Sequence, residues 1–291
     1  MRDSKEGPMD VKDVMHTAVT TVTPETRVST AYQVMTRREA RIRHLPVVTD
    51  EGTLVGIITD RDIRRAAASD VPHLAEHELL SQLEQLRVRD IMTPEVVTVG
   101  GTTPLREAGQ MLLQHKFGCL PIVHANHTLA GIITVTDLLR ASIDQYEAGR
   151  LMRVRSMMQT PIITVTPEMS LAEVQGLMRD NNIRHIPVVS GPGYQRLVGM
   201  ITDRDIREAA PSPATALTRG EIAYQMETTS VKMCMTQEVV CIGPEAEMAQ
   251  AARLLVQRRI GCLPVVDRAT LVGVVTAIDC LRAFLQTASG A

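Results

Sequence analysis

Tryptophan is absent from the 291-residue chain, and phenylalanine and tyrosine contribute only two and four residues. Stacked aromatic platforms of the kind that hold unpaired bases are therefore hard to build here. No run approaches the roughly 20 apolar residues that a membrane-crossing helix needs, so no membrane insertion is expected. Residues 1–10 are polar and mixed in charge, which does not read as a secretion signal. Five cysteines (Cys119, Cys234, Cys241, Cys262, Cys280) are an odd count without CxxC spacing. That argues against a disulfide framework and a zinc knuckle, and reduced thiols in a cytoplasm are the simplest reading. Neither sign of charge dominates: 31 Lys plus Arg face 33 Asp plus Glu, a formal charge of −2. No strong overall field draws the chain to nucleic acid or an anionic surface, and nucleic acid is not an expected partner.

What is present is ordinary globular composition, with 44% apolar and 22% charged residues. At roughly 100–200 residues per domain the length suits about two domains. Sixteen methionines serve as adaptable core fillers.

One phrase occurs four times: Leu45-Pro46-Val47-Val48, Leu120-Pro121-Ile122-Val123, Ile186-Pro187-Val188-Val189 and Leu263-Pro264-Val265-Val266. Each is followed by a Gly-x-x-Thr-x-x-Asp phrase, with Thr59 and Asp62, Thr134 and Asp137, Thr202 and Asp205, and Thr276 and Asp279. A β-branched run opens each unit, at residues 19–22, 96–99, 162–165 and 239–242, and reads as a strand. An apolar triplet at i, i+3 and i+7 follows each run: Val28, Ala31, Met35; Leu105, Ala108, Leu112; Leu171, Val174, Met178; Met248, Ala251, Leu255. That spacing is one face of a helix. The predicted unit is strand, helix, strand, strand, helix, and the predicted fold class is α/β (α+β). Each unit of about 60 residues is near the lower limit for a self-sufficient core, so units should pack in pairs.

The units alternate. The first and third carry Ile-Arg-His before the proline phrase (Ile42-Arg43-His44, Ile183-Arg184-His185) and Thr-Asp-Arg-Asp-Ile-Arg after the glycine strand. The second and fourth carry Gly118-Cys119 and Gly261-Cys262 instead. The repeating object is thus a pair, duplicated. A first pair is expected over residues 1–146, with units at about 11–68 and 88–146. A second is expected over 147–291, with units at about 154–210 and 231–286. Residues 66–87 and 208–229 read as connectors of helical appearance, and 144–155 as the junction between pairs.

This arrangement resembles the cystathionine-β-synthase (CBS) domain family over about residues 11–286. The resemblance implies tandem pairs packed through their sheets, two clefts per pair related by a pseudo-twofold axis, and further assembly into a flat disc. It implies an adenosine-containing ligand whose ribose meets the Thr and Asp of each glycine phrase. The first strand and the segment before the proline (Pro46, Pro187) would enclose the base, and His44 and His185, with Arg43 and Arg184, would add positive charge. The chemistry agrees: one carboxylate accepts from both adjacent ribose hydroxyls while a threonine hydroxyl donates or accepts. Each acid lies in the first turn of a helix, where exposed N–H groups can meet phosphate. Arg61 and Arg204 sit one residue before Asp62 and Asp205 and could add phosphate contacts that Val135-Thr136 and Ala277-Ile278 cannot. Phosphorylated ligands are therefore expected in the clefts of the first and third units, with those of the second and fourth weaker or empty.

The expected function is adenine-nucleotide sensing (AMP, ADP or ATP) without catalysis or a catalytic cofactor. Magnesium would enter only with bound phosphates. Regulation would act in trans on an unidentified protein partner, or through self-association as a homodimer. Three competing readings stay open. Thr-x-x-Asp also matches a helix capping box that needs no ligand. The fold could be a constitutive interaction scaffold with vestigial clefts. His73-Leu74-Ala75-Glu76-His77 fits an H-x-x-E-H zinc-hydrolase pattern but lies in a connector without a third ligand. His124 and His127 read as solvated turn residues. Cys119 and Cys262 read as small core residues, a redox sensor being the alternative.

Overall fold

The computed structural model describes residues 9–37, 42–67, 83–146, 152–191, 194–209 and 218–287. The chain divides into two compact units, Met1–Ala141 and Ser142–Ala291. In the first, α1 (Val28–Thr36) leads to the hairpin β1 (His44–Val48) and β2 (Leu54–Thr59), then α2 (Asp60–Ala67). The series repeats as α3 (Leu105–His115), β3 (Cys119–Val123), β4 (Leu129–Thr134) and α4 (Val135–Tyr146). The second compact unit runs α5 (Leu171–Asp180), β5 (His185–Gly191), β6 (Tyr194–Thr202) and α6 (Asp203–Ala209). It continues with α7 (Arg219–Thr228) and then α8 (Met248–Arg258), β7 (Cys262–Asp267), β8 (Thr270–Thr276) and α9 (Ala277–Thr287). Of the connectors, α7 is helical, whereas residues 68–82, with the His73 to His77 motif, lie outside the described residues.

The four apolar triplets form the buried faces of α1, α3, α5 and α8, none of their members more than 6% exposed. In each antiparallel hairpin the proline stands opposite a β-branched residue or methionine: Pro46 to Ile57, Pro121 to Ile132, Pro187 to Met200, Pro264 to Val274. The side of the strand on which proline lacks an N–H faces away from the hairpin partner. Only its carbonyl is needed there, and Val22 N–H donates to Pro46 C=O at 3.1 Å. Within each compact unit the two hairpins meet by a bridge, Thr53 to Thr128 in one and Arg196 to Thr270 in the other.

The first strand predicted for each unit is not a full strand. It reduces to one parallel bridge: Val22 to Val47, Val99 to Ile122, Val165 to Val188, Ile242 to Val265. The cause is that the two ends of each lead segment bond to different hairpins. His16 exchanges both backbone hydrogen bonds with Ile132 of β4, at 2.9 and 3.0 Å, while Val22 bonds to β1. Thr93 does the same with Ile57 of β2 before Val99 reaches β3. Gln159 pairs with Val274 and Thr236 with Met200 in the second compact unit. Single helical turns just upstream (Val11–Asp13, Val88–Ile91, Val154–Ser156, Val231–Met233) dock each lead segment against the sister unit. The core around Leu45 and Ile58 accordingly includes Leu83 and Val88, and that around Ile186 and Ile201 includes Met226 and Val231. The first and third units thus complete their cores with residues of the connector and of the sister unit.

Candidate functional site

The repeated glycine has a packing origin. A Cβ on Gly56 would stand 2.6 Å from Met92 Sδ and 3.1 Å from Thr93 O, and one on Gly199 2.7 Å from Met235 Sδ. Gly131 and Gly273 meet Met15 and Met158 in the same way. The lead segment of the sister unit thus lies directly on the hairpin, and the residue after each methionine (His16, Thr93, Gln159, Thr236) is delivered beside the helix that carries the acid. Sequence reasoning passed over these four positions. The signal was a methionine repeated at Met15, Met92, Met158 and Met235, in register with the glycines.

All four acids bond back to the threonine at their helix start, three of them in a full capping box. Thr59 donates from its N–H and Oγ1 to Asp62 Oδ2 at 2.8 and 2.6 Å, and Asp62 N–H donates back to Thr59 Oγ1 at 3.3 Å. Thr202 and Asp205 repeat this at 2.7, 2.8 and 3.3 Å. Thr134 and Asp137 do likewise, and Thr276 donates from its N–H and Oγ1 to Asp279 Oδ2 at 2.9 and 2.6 Å. The capping reading therefore holds for one carboxylate oxygen of each acid. It leaves the second oxygen to be accounted for, and there the units part.

In the second and fourth units that oxygen is taken. Asp137 is 5% exposed; its Oδ1 accepts from His16 Nε2 at 2.9 Å and Arg140 Nη1 at 3.3 Å. Asp279 is fully buried; Gln159 Nε2 donates to Oδ1 at 3.1 Å and Oδ2 at 2.9 Å, and Arg282 to Oδ1 at 3.3 Å. In the first and third units the corresponding lead residues are Thr93 and Thr236, whose backbones pair at the equivalent places but whose side chains are short. Asp62 and Asp205 are half-buried, and among the described residues their Oδ1 atoms accept no hydrogen bond. The two open carboxylates are thus those directly preceded by an arginine, Arg61 and Arg204.

The remaining sequence candidates fall around these acids. Arg61 is exposed and forms no ion pair among the described residues, while Arg204 Nε bonds Glu208 Oε1 at 2.8 Å on its own helix. His44 lies against Gly118, where an added Cβ would be 2.7 Å from Nε2, and His185 lies against Gly261 at 2.7 Å from Cε1. The alternation of Ile-Arg-His with Gly-Cys is therefore a steric match across each pair: one unit supplies an imidazole and its sister omits a side chain. Pro46 and Pro187 are buried strand residues whose carbonyls hold the lead segments of their own units.

The thiols do not favour redox sensing. Burial pushes the Cys119 thiol up to about 12, and burial followed by the Asp279 carboxylate does the same for Cys262. Cys280 is raised by burial and then Asp279, Cys234 by burial and then Asp205, and Cys241, although its side chain reaches solvent, by partial desolvation of the thiol. Low-pKa thiolates are what sensor cysteines need. His124 and His127 are exposed. Among the described residues no group of three His, Cys, Asp or Glu is placed to hold a metal ion, and no helix is long and apolar enough to cross a membrane.

Comparison with known proteins gives this geometry a family. The chain is similar to the protein MJ1225 of Methanocaldococcus jannaschii, with 30% identity over 283 residues, 94% of this chain and 98% of that protein. The crystal structure of MJ1225, described as a candidate archaeal homolog of g-AMPK, superposes with a TM-score of 0.77 at 27% identity. It covers 95% of this chain and 100% of that one. A conserved protein from Pyrococcus horikoshii shares the fold, with a TM-score of 0.66 at 22% identity over 95% of this chain and 100% of its own. The CBS domain model matches at residues 11–69, 88–144, 154–212 and 231–286. With four such repeats arranged as two tandem pairs, the chain belongs to the CBS domain family.

Proposed function

We propose that the protein is a regulatory binder of adenosine-containing ligands, with working clefts at Asp62 and Asp205 and closed ones at Asp137 and Asp279. The observation that carries this is the difference in the second carboxylate oxygen. At Asp62 and Asp205 it is uncommitted and half-exposed, suited to accept from the paired hydroxyls of a ribose. At Asp137 and Asp279 the His16 and Gln159 side chains stand in its place. Thr59 and Thr202 would offer their remaining lone pairs, and Arg61 and Arg204 would meet phosphate, Arg204 after releasing Glu208. The likeness to MJ1225, described as a candidate homolog of g-AMPK, favours AMP, ADP or ATP as ligand. Each working cleft lies where the lead segment of one unit rests on the hairpin of its sister. A ligand there biases the packing of the two only by the difference in its affinity for the alternative arrangements. The output acts on a protein partner in trans or on self-association, and that partner in turn alters nucleotide affinity by the same factor.

Thermal unfolding with AMP, ADP, ATP, NAD and S-adenosylmethionine tests the reading. A specific ligand at 100 times its dissociation constant adds about 2.7 kcal/mol. Asp62→Asn and Asp205→Asn keep a side-chain oxygen for the cap and remove the charge, so each should lose part of the gain. One observation favours a second reading, a constitutive scaffold: every Thr-Asp pair already has a structural duty as a helix cap. A scaffold gains nothing from any member of the panel.

A further inference from the structure

The duplication supplies an internal control, because the two pairs can be compared position by position. In the second pair a cavity of about 190 Å³ opens between β6, the lead segment of the fourth unit and the β7–β8 hairpin. Neither Thr202 nor Asp205 lines it. Its apolar wall is inherited unchanged: Leu197, Val198, Gly199, Val239 and Val266 match Leu54, Val55, Gly56, Val96 and Val123 of the first pair. The other lining positions have all diverged. Arg196 stands for Thr53, Gln237 for Pro94, Cys241 for Thr98 and Ala269 for His127. Three of these exchanges bring a guanidinium, an amide and a thiol into the lining, and the fourth withdraws an imidazole from it.

Arg196 and Gln237 make no side-chain hydrogen bond or ion pair among the described residues, and Arg196 is the one charged residue of the lining. Gln237, Val239 and Cys241 alternate along an extended segment and so share one side of it. Arg196, Gln237, Cys241 and Ala269 are exposed at its mouth and Leu197, Val198, Val239 and Val266 are half-buried along its wall, so the site is a small solvent-open recess with a polar rim and an aliphatic floor. We propose that this cavity binds a short-chain aliphatic monocarboxylate, its carboxylate on Arg196 and Gln237 and its tail against Val198, Val239 and Val266. The uncommitted guanidinium selects the anion, and the aliphatic wall selects a tail over a bare oxoanion. This site goes beyond the nucleotide reading and stands or falls separately from it.

Cys241 is exposed and lines the cavity, so it reports occupancy. The test measures iodoacetamide alkylation of Cys241, by peptide mass spectrometry, on the full chain with sodium butyrate, butyramide, sodium phosphate or AMP. Butyrate at ten times its dissociation constant should slow Cys241 about tenfold and leave Cys234 unaffected, and neither butyramide nor phosphate should match it. Arg196→Gln should abolish the protection. So should Ala269→His, which restores the first pair's own residue at a backbone position where His127 is already accommodated at positive φ. The proposal is overturned if butyrate gives no protection, or protects both variants equally. Equal protection by phosphate would remove the role of the tail, and protection by AMP alone would assign the cavity to the nucleotide; either result also overturns it.

Discussion

On the proposed reading, truncating His16 should open the Asp137 position to nucleotide. His16 Nε2 donates to Asp137 Oδ1 at 2.9 Å, on a carboxylate that is 5% exposed. His16→Ala leaves that oxygen with Arg140 at 3.3 Å as its remaining donor among the described residues. A hydrogen bond to a charged group contributes about 1.5–3 kcal/mol. The His16 side chain is 58% exposed, however, so water can enter in its place and the loss should be nearer 1 kcal/mol. That corresponds to a fall of about 2–4 °C in melting temperature for a domain of this size. Adding AMP should reverse the sign, since the freed carboxylate now accepts the ribose hydroxyls and the added site stabilises the fold by its own occupancy. Calorimetric titration should find one more nucleotide bound than in the native chain. His16→Gln is the control: Gln159 performs the same closure on Asp279, so this variant should keep the native stoichiometry. A destabilised His16→Ala protein with unchanged stoichiometry would refute the argument that side-chain length at this position gates the cleft.

The converse substitution, Thr236→Gln, places a reaching amide beside Asp205 and should abolish nucleotide binding there while leaving the Asp62 cleft intact, as read by the same titration. Gly118→Ala drives a methyl to 2.7 Å from the His44 ring and should cost about 1–3 kcal/mol in urea denaturation. The double variant with His44→Ala should recover most of that loss, and additivity of the two would contradict the steric match. Burial raises the Cys119 and Cys262 thiols to about 12, above their ordinary value of 9.0, so their contribution is complete below pH 9 and lost as pH rises towards 12. In that window the unfolded chain gives up protons that the folded one retains. Stability should therefore fall by up to about 1.4 kcal/mol per pH unit for each thiol. Cys119→Ala should flatten the slope measured from pH 9 to 10.5, and an unchanged slope would count against the burial argument.

The architecture was legible because it is carried by local spacing repeated four times. The triplet Val28, Ala31, Met35 and its counterparts mark buried helix faces, and the proline and glycine phrases mark hairpins. The first strands were misread because residues 19–22 have strand composition, while their backbone is shared between two hairpins that sequence periodicity does not relate. The same limit hid the side chains that bond the second oxygen of Asp137 and Asp279. His16 and Asp137 are 121 residues apart and Gln159 and Asp279 are 120, separations at which no local pattern speaks. The Thr-Asp pairs were legible as either cap or ligand contact; the structure shows one oxygen capping in every unit, and the units differ in what surrounds the second. The expectation that the first and third units bind best was reached from Arg61 and Arg204; the structure adds a second difference between the units, Thr93 and Thr236 where the sister segments carry His16 and Gln159.

The most direct test is a calorimetric count of AMP bound by the native chain, by Asp62→Asn, by Asp205→Asn and by the double variant. One nucleotide at each open cleft, lost singly by each replacement and wholly by both, is the expected result. Saturable AMP binding that survives in the double variant, or a native chain that binds none, would contradict it.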